Sequence, residues 1–209
     1  MNGEGAYELL AELLEYPRRS PHALAAACAL AVRDRSPAAA AALDDVVAGL
    51  RALDSQECEE LYAATFDLDP ARSLDVGFQI FGETYKRGVF LVKIQRAVVA
   101  HGIDRGVELA DHLPVLLRLL ARLGDDEPNG EDGRSLAEDV ILPATAKVLT
   151  TFDARPLDDP YRRLLEAAVA LLQSDFDIDH VELPRDLSNS NSPFLGDARR
   201  GRALPVIQD

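Results

Sequence analysis

The sequence predicts an all-α fold, a single-domain bundle of about eight or nine helices, and three observations carry that prediction. Helix-start signals recur along the chain: Ser20-Pro21, Ser36-Pro37, Asp54 with Glu57, Ser135 with Glu138, and Asp159-Pro160. Ser and Asp oxygens accept hydrogen bonds from first-turn amides, and proline at the first helical position lacks only an N–H that would have no partner there. Behind these signals apolar residues recur three and four apart, most cleanly at Tyr161, Leu164, Leu165, Ala168, Val169 and Leu172, which is the period of an amphipathic helix. No segment alternates apolar and polar residues in the manner of a strand, beyond the ambiguity of short apolar runs.

Residues 5–16 form the first predicted helix, with Leu9, Leu10, Leu13 and Leu14 on one face and Pro17 as its stop. The runs after Ser20-Pro21 and Ser36-Pro37, AAACALAV and AAAAALDDVVAGL, are rich in alanine and favour helix intrinsically. Asp54 and Glu57 read as a capping box ahead of CEELYAATF, and Asp69-Pro70 ends that helix. Residues 71–81 read equally as a short helix or an extended connector, and Gly77 weakens both readings. The next helix runs to Ala100 and closes at His101-Gly102. Asp111 reads as the N-cap of the one after, with Pro114 in its first turn and Gly124 just past its end. Residues 124–134 (GDDEPNGEDGR) hold almost nothing that packs and read as a linker or hinge. Pro143 falls inside the following apolar pattern and is expected to kink or split it. Residues 1–184 are the predicted helical domain. Residues 185–209, rich in Ser, Asn, Pro and Gly with four Arg against three Asp, read as a flexible tail.

The stretch from Leu61 to Leu123 is the centre of the prediction. At about 100° per residue, the segment from Phe81 to Ala100 shows two apolar faces. One carries Phe81, Tyr85, Val92 and Val99; the other carries Phe90, Leu91, Ile94, Ala97 and Val98; Lys86, Lys93 and Arg96 lie between them. A surface helix has a single apolar stripe. This one is therefore expected at the middle of the bundle.

A chain of 209 residues suits one domain, or one domain plus a tail, and can bury a sizeable core without staples. The net charge of −14 and the absence of any Lys/Arg cluster argue against a nucleic-acid partner, because phosphate binding depends on such clusters. The acidity itself has two readings, solubility and attraction of a cationic peptide. Cys28 and Cys58 are isolated, with no CxxC, and are expected as reduced thiols. The N-terminus is acidic where a secretory leader is basic, and no apolar run approaches the ~20 residues of a membrane span. The expectation is a cytoplasmic protein with no membrane insertion. None of His22, His101, His112 and His180 lies four residues from another, and HExxH, a Gly-rich phosphate loop and a nucleophile elbow are all absent. The residues read as those of a binding protein, with an apolar groove between helices as the natural site for an amphipathic peptide.

Three motifs in the central stretch carry a family resemblance. Tyr62, Thr65, Phe66, Asp67 and Leu68 (in YAATFDL), then Gly82, Glu83, Arg87 and Gly88 (GETYKRG), then Asp111, His112, Leu113 and Pro114 (DHLP) occur in this order. The ordered set resembles the NarJ branch of the TorD/DmsD/NarJ family of molybdoenzyme assembly chaperones, over roughly residues 5–175. The resemblance implies a non-catalytic, system-specific chaperone for a molybdenum-cofactor oxidoreductase of the nitrate reductase-like, DMSO reductase family. Its partner would be the catalytic subunit, chiefly the N-terminal peptide, often a twin-arginine leader or its vestige. That subunit would be held for cofactor insertion before export or membrane assembly. No stably bound cofactor is implied; molybdopterin guanine dinucleotide goes into the client. The peptide-binding residues the resemblance implies are Tyr62, Phe66, Asp67, Glu83, Tyr85, Arg87, Asp111, His112 and Pro114.

Each of these has a plainer alternative that the sequence leaves open. Tyr62 and Phe66 share a helix face and line a groove or pack in the core. Asp67 caps a helix end or receives a client arginine. Glu83 and Arg87 are spaced for a surface ion pair, Asp111 and His112 for helix capping, and Gly88 for close helix approach. Rival readings of the whole chain are a small metal-dependent hydrolase using Asp111, His112 and His101, and a general helical adaptor. In the tail, Leu204-Pro205-Val206-Ile207 is an apolar cluster with the makings of an internal occupant of the groove. Whether the protein is a monomer or a dimer is open.

Overall fold

The computed structural model describes residues 3–18, 20–126, 131–152, 159–181 and 194–195. The helices, in chain order, are α1 (Gly3–Leu13), α2 (His22–Val32), α3 (Pro37–Arg51), α4 (Ser55–Tyr62), α5 (Val76–Phe81), α6 (Tyr85–Ala100), α7 (Leu113–Asp126), α8 (Glu131–Leu136), α9 (Leu142–Thr150) and α10 (Pro160–Phe176). A π-helical turn, Ala63–Asp67, continues α4, and a second, Ala137–Ile141, joins α8 to α9. With Glu131–Thr150 taken as one kinked helix, the described residues hold nine helices and no strand. The predicted all-α fold is what forms.

Local chemistry explains most of the helix starts. Ser36 Oγ accepts from Ala39 N at 3.3 Å, with Pro37 behind it. Asp54 and Glu57 close a full capping box, each side chain 2.9 Å from the other's amide. Asp159 Oδ1 accepts from Tyr161 N at 3.0 Å and Arg162 N at 3.3 Å. Such caps contribute about 1 kcal/mol each. Pro143 falls in the first turn of α9, directly after the π turn, so the predicted break occurs where its missing N–H and ring interrupt the ladder.

Other starts differ from expectation. Ser20 does not cap α2; its Oγ lies 2.9 Å from His22 Nδ1. Ser135 is no cap either, because α8 has already begun at Glu131, and its Oγ instead donates to Asp139 Oδ2 at 2.8 Å. For the same reason helix occupies much of the expected 124–134 linker, and residues 127–130 lie outside the described ones. The tail expectation, Leu204-Pro205-Val206-Ile207 included, also falls outside them, except that Phe194 and Leu195 are buried against the core.

α1 packs on α2 and α7, α3 lies between α2 and α10, and α10 reaches α9. Leu10, Leu14, Leu43, Leu50, Leu116 and Leu120 are fully buried among these helices, each stabilising the fold by about 1.5–3 kcal/mol through lost water contact. Tyr7 donates to Asp175 Oδ2 at 2.6 Å and Arg35 pairs with the same carboxylate, joining α1, the end of α2 and α10.

The largest correction concerns the helix expected at the centre. It starts only at Tyr85, because Gly82, at φ +60° and ψ −156°, turns the chain in a region closed to L side chains and leaves Phe81 at the end of the short helix α5. α6 packs chiefly on α5 and α7 and lies at the periphery. Phe90, Ile94 and Val98 are buried, whereas Tyr85, Val92 and Val99 face solvent. Hydrophobic periodicity located both faces, but among the described residues only one has a neighbour.

Candidate functional site

The three motifs meet at one cleft of about 400 Å³. Tyr62, Phe66 and Asp67 reach it from the end of α4 and its π turn, Glu83 and Arg87 from the turn into α6, and His112 from the start of α7. Pro70, Ser73, Leu74 and Phe78 complete its apolar wall and rim, and Asp75 and Glu108 add two carboxylates. The lining is predominantly polar and acidic. That differs from the apolar groove expected, because the residues between the motifs contribute charge that the motifs alone do not show.

Backbone pairing sets the floor. Val76 N donates to Asp111 O at 2.9 Å, and Leu113 N to Leu74 O at 2.9 Å, on either side of an isolated bridge between Asp75 and His112. This brings the DHLP segment against the chain entering α5. Gln79, itself buried, fixes the preceding loop by donating to Ala71 O at 3.2 Å and Ser73 O at 2.9 Å. Arg72 ties the same loop to the π turn through Thr65 O at 3.0 Å.

Arg87 is the hub of the floor. Its Nε donates to Asp111 Oδ2 at 3.1 Å, another guanidinium nitrogen to Asp75 Oδ2 at 2.8 Å, and the group lies 5.8 Å from the Phe78 ring. The surface pair with Glu83 expected from helical spacing gives way to these two carboxylates, since Glu83 precedes α6 and points its charge at the rim. His112 Nδ1 lies 3.5 Å from Asp75 Oδ1, at the limit of hydrogen-bond reach. Burial opposes the charge on Arg87, but Asp111 and Asp75 outweigh it and hold the guanidinium above its ordinary pKa. His112 first, and then Arg87, hold the Asp75 carboxyl below the usual range against its own burial. Asp111 is fully buried, and burial lifts its carboxyl above the usual range in spite of Arg87. Its Oδ1 makes no hydrogen bond among the described residues. Asp111 is therefore no helix cap, because its carboxylate turns inward to Arg87.

Gly77 was flagged in the sequence only as a weakness, yet here it is required. A Cβ on it would stand 2.5 Å from Asp111 Oδ2 and 2.9 Å from the Phe90 ring. Asp75, Phe78 and Glu108 line the cleft but belong to no motif, and the acidic residue directly ahead of α5 is the one signal of them in the sequence.

Tyr62 and Phe66 pack in the core and also line the cleft. Each is 5% exposed, and their rings meet edge-on at 5.2 Å, with Tyr161 at 5.7 and 5.1 Å. Tyr62 Oη donates to Leu14 O at 3.2 Å, and burial pushes its phenol well above its ordinary pKa. Asp67 stands exposed at the rim. Tyr85 and Pro114 are not part of the cleft: Tyr85 is 61% exposed on the outer side of α6, and Pro114 is buried in the first turn of α7. Gly88 has open space around it, so the close helix approach expected there does not occur among the described residues. A second, more apolar groove of about 600 Å³ runs over Leu53, Leu61, Ala64 and Pro160, with Glu57 and Glu60 beside it, and contains none of the motif residues. Among the described residues no group of three His, Cys, Asp or Glu side chains is arranged to hold a metal ion, and no helix is long and apolar enough to cross a membrane.

Fold and cleft together define a helical scaffold that presents an acidic concavity. No protein-family model matches the chain. It is similar to the nitrate reductase molybdenum cofactor assembly chaperone NarJ of Escherichia coli (strain K12), 28% identical over 195 residues that span 91% of this chain and 79% of the relative. The same chaperone of Escherichia coli O157:H7 matches with the same figures. This similarity agrees with the motif resemblance to the NarJ branch.

Proposed function

We propose that this protein is an assembly chaperone for a molybdenum-cofactor oxidoreductase and that its acidic cleft captures the N-terminal peptide of the catalytic subunit. The observation that carries the reading is convergence. Three motifs spread over residues 62–114 supply six of their side chains to one cleft, whose rim bears Asp67, Glu83 and Glu108 around an Arg87 already matched by Asp75 and Asp111. A basic residue of a leader peptide would meet uncompensated carboxylates there, while the Tyr62 and Phe66 ring edges and Phe78 give its stem an apolar wall. The neighbouring groove over Leu53 and Leu61 is suited to the apolar stretch of the same peptide. Capture of this kind is stoichiometric and non-catalytic. It holds the client in the cytoplasm until molybdopterin guanine dinucleotide is inserted into it, and the chaperone itself keeps no cofactor.

The test is calorimetric titration of the full chain with the N-terminal peptide of a molybdoenzyme catalytic subunit encoded alongside it, at low and moderate salt. Saturable 1:1 binding that weakens with salt, with Asp67→Asn and Glu83→Gln each lowering affinity, is the expected result. Binding that is indifferent to both substitutions would remove the cleft from the mechanism.

A further inference from the structure

We infer that the outward face of α6 is a docking seam for an acidic amphipathic helix of a partner protein. Tyr85, Val92 and Val99 are 61%, 49% and 66% exposed and recur every seven residues, opposite the buried Phe90, Ile94 and Val98. Isolated exposed apolar residues are ordinary. A seven-residue repeat on one helix is not, because it draws a continuous line that a second helix can follow with its own side chains. Gly88 lies beside that line, between Tyr85 and Val92 along the helix, and a Cβ placed there would meet nothing within 4 Å. Glycine within an exposed helix costs about 1 kcal/mol against alanine, and none of the described residues packs close enough to offset it. A helix arriving from outside would, because the missing side chain lets the two backbones come close.

The charges on α6 identify the arriving helix. α6 carries Lys86, Arg87, Lys93 and Arg96 and no acidic residue, in a chain whose net charge is −14. Arg87 turns inward to Asp75 and Asp111. Lys86 and Arg96 lie along one flank of the seam; Arg96, exposed, is four residues past Val92 and three before Val99. A second copy of this chain paired α6 to α6 would set these cations against each other, and a cationic leader would be repelled in the same way. A helix with glutamates along one flank fits. The acidity of the rest of the molecule does not prevent this at physiological salt, where charges more than about 8 Å away are largely screened. The seam is separate from the cleft, and the inference does not depend on what the cleft binds.

The probe is a fluorescently labelled synthetic helix of about three heptads with leucine on its seam and glutamate on its flanks, beside a twin with lysine flanks. It is titrated against the full chain by anisotropy at moderate salt. The glutamate helix is expected to bind 1:1 and at least about tenfold more tightly than the lysine twin. Val92→Glu and Val99→Glu should each remove most of that affinity while leaving thermal unfolding and the binding of a basic leader peptide unchanged. Lys86→Glu combined with Arg96→Glu should reverse the preference. Equal binding of the two helices, or no binding of either, overturns the inference. So does glutamate-helix binding that survives both valine substitutions, or a sedimentation dimer that Val92→Glu dissolves, which would give the seam to a second copy.

Discussion

Replacing Arg87 by methionine keeps most of the side-chain volume and removes the one cation between Asp75 and the fully buried Asp111. Breaking a buried ion pair by taking one partner costs about 3–5 kcal/mol, since the other charge stays behind without compensation. The guanidinium and Asp75 keep some contact with water, at 19% and 27% exposure, which puts the expected loss at the lower end, about 3 kcal/mol. For a chain of this size that lowers Tm by roughly 6–12 °C. The loss also has a pH signature. Asp111 is raised by burial even with Arg87 present, so the folded state holds its proton more firmly than the unfolded chain does. Ionising it therefore costs stability as pH rises from the ordinary carboxylate value of about 4 through the folded value. Removing Arg87 lifts the folded value further and carries the cost to higher pH. The deficit of the variant should be smallest in acid, grow with pH and then level off. Urea unfolding followed by circular dichroism across that range measures it. Arg87→Met combined with Asp111→Asn should recover most of the loss, because the stranded charge is gone. A deficit below about 1 kcal/mol, a deficit independent of pH, or a double variant no better than the single would refute the reasoning.

Three further outcomes are expected. Gly77→Ala should destabilise by about 1–3 kcal/mol in denaturant unfolding and weaken peptide capture, because its Cβ would displace the Asp111 carboxylate or the Phe90 ring. Gly88→Ala should act in the opposite direction, raising stability by about 0.4–1 kcal/mol in the same assay, because the position is helical and open. Cys28 is fully buried, with its thiol pushed up to about 12 by burial, so in the folded protein it should resist maleimide at neutral pH and react only after unfolding, as mass spectrometry would show.

Much of the fold could be read from the sequence because its signals are local. The Asp54–Glu57 box, the Ser36 and Asp159 caps and the Pro143 break each depend on residues within a turn of one another. The cleft was legible in outline, since six motif residues line it, but its chemistry was not. Arg87 finds partners 12 and 24 residues away, and no local pattern distinguishes those from the nearer Glu83. α6 shows the limit from the other side. The spacing of Tyr85, Val92 and Val99 located an apolar face correctly, yet none of the described residues covers it, because periodicity describes one helix and burial requires another.

The paired backbone bonds at Leu74–Leu113 and Val76–Asp111 close the chain between them into a loop that holds α5 and α6. In terms of opening equilibria, that loop is a flap attached to the bundle through a short bridge, the Arg87 contacts, the packing of α5 on α9 with the Lys147 Nζ bond to Gln79 O at 2.6 Å, and one buried face of α6. Segments with few buried contacts open at a smaller free energy than the whole molecule unfolds. The amides of Val76 and Leu113 are the latch, and their hydrogen exchange relative to that of α3 or α10 gives the free energy of opening the flap alone. A guest in the cleft would bear on the latch from one side and a helix on α6 from the other, so two ligands that never touch would each register in the exchange of the same two amides.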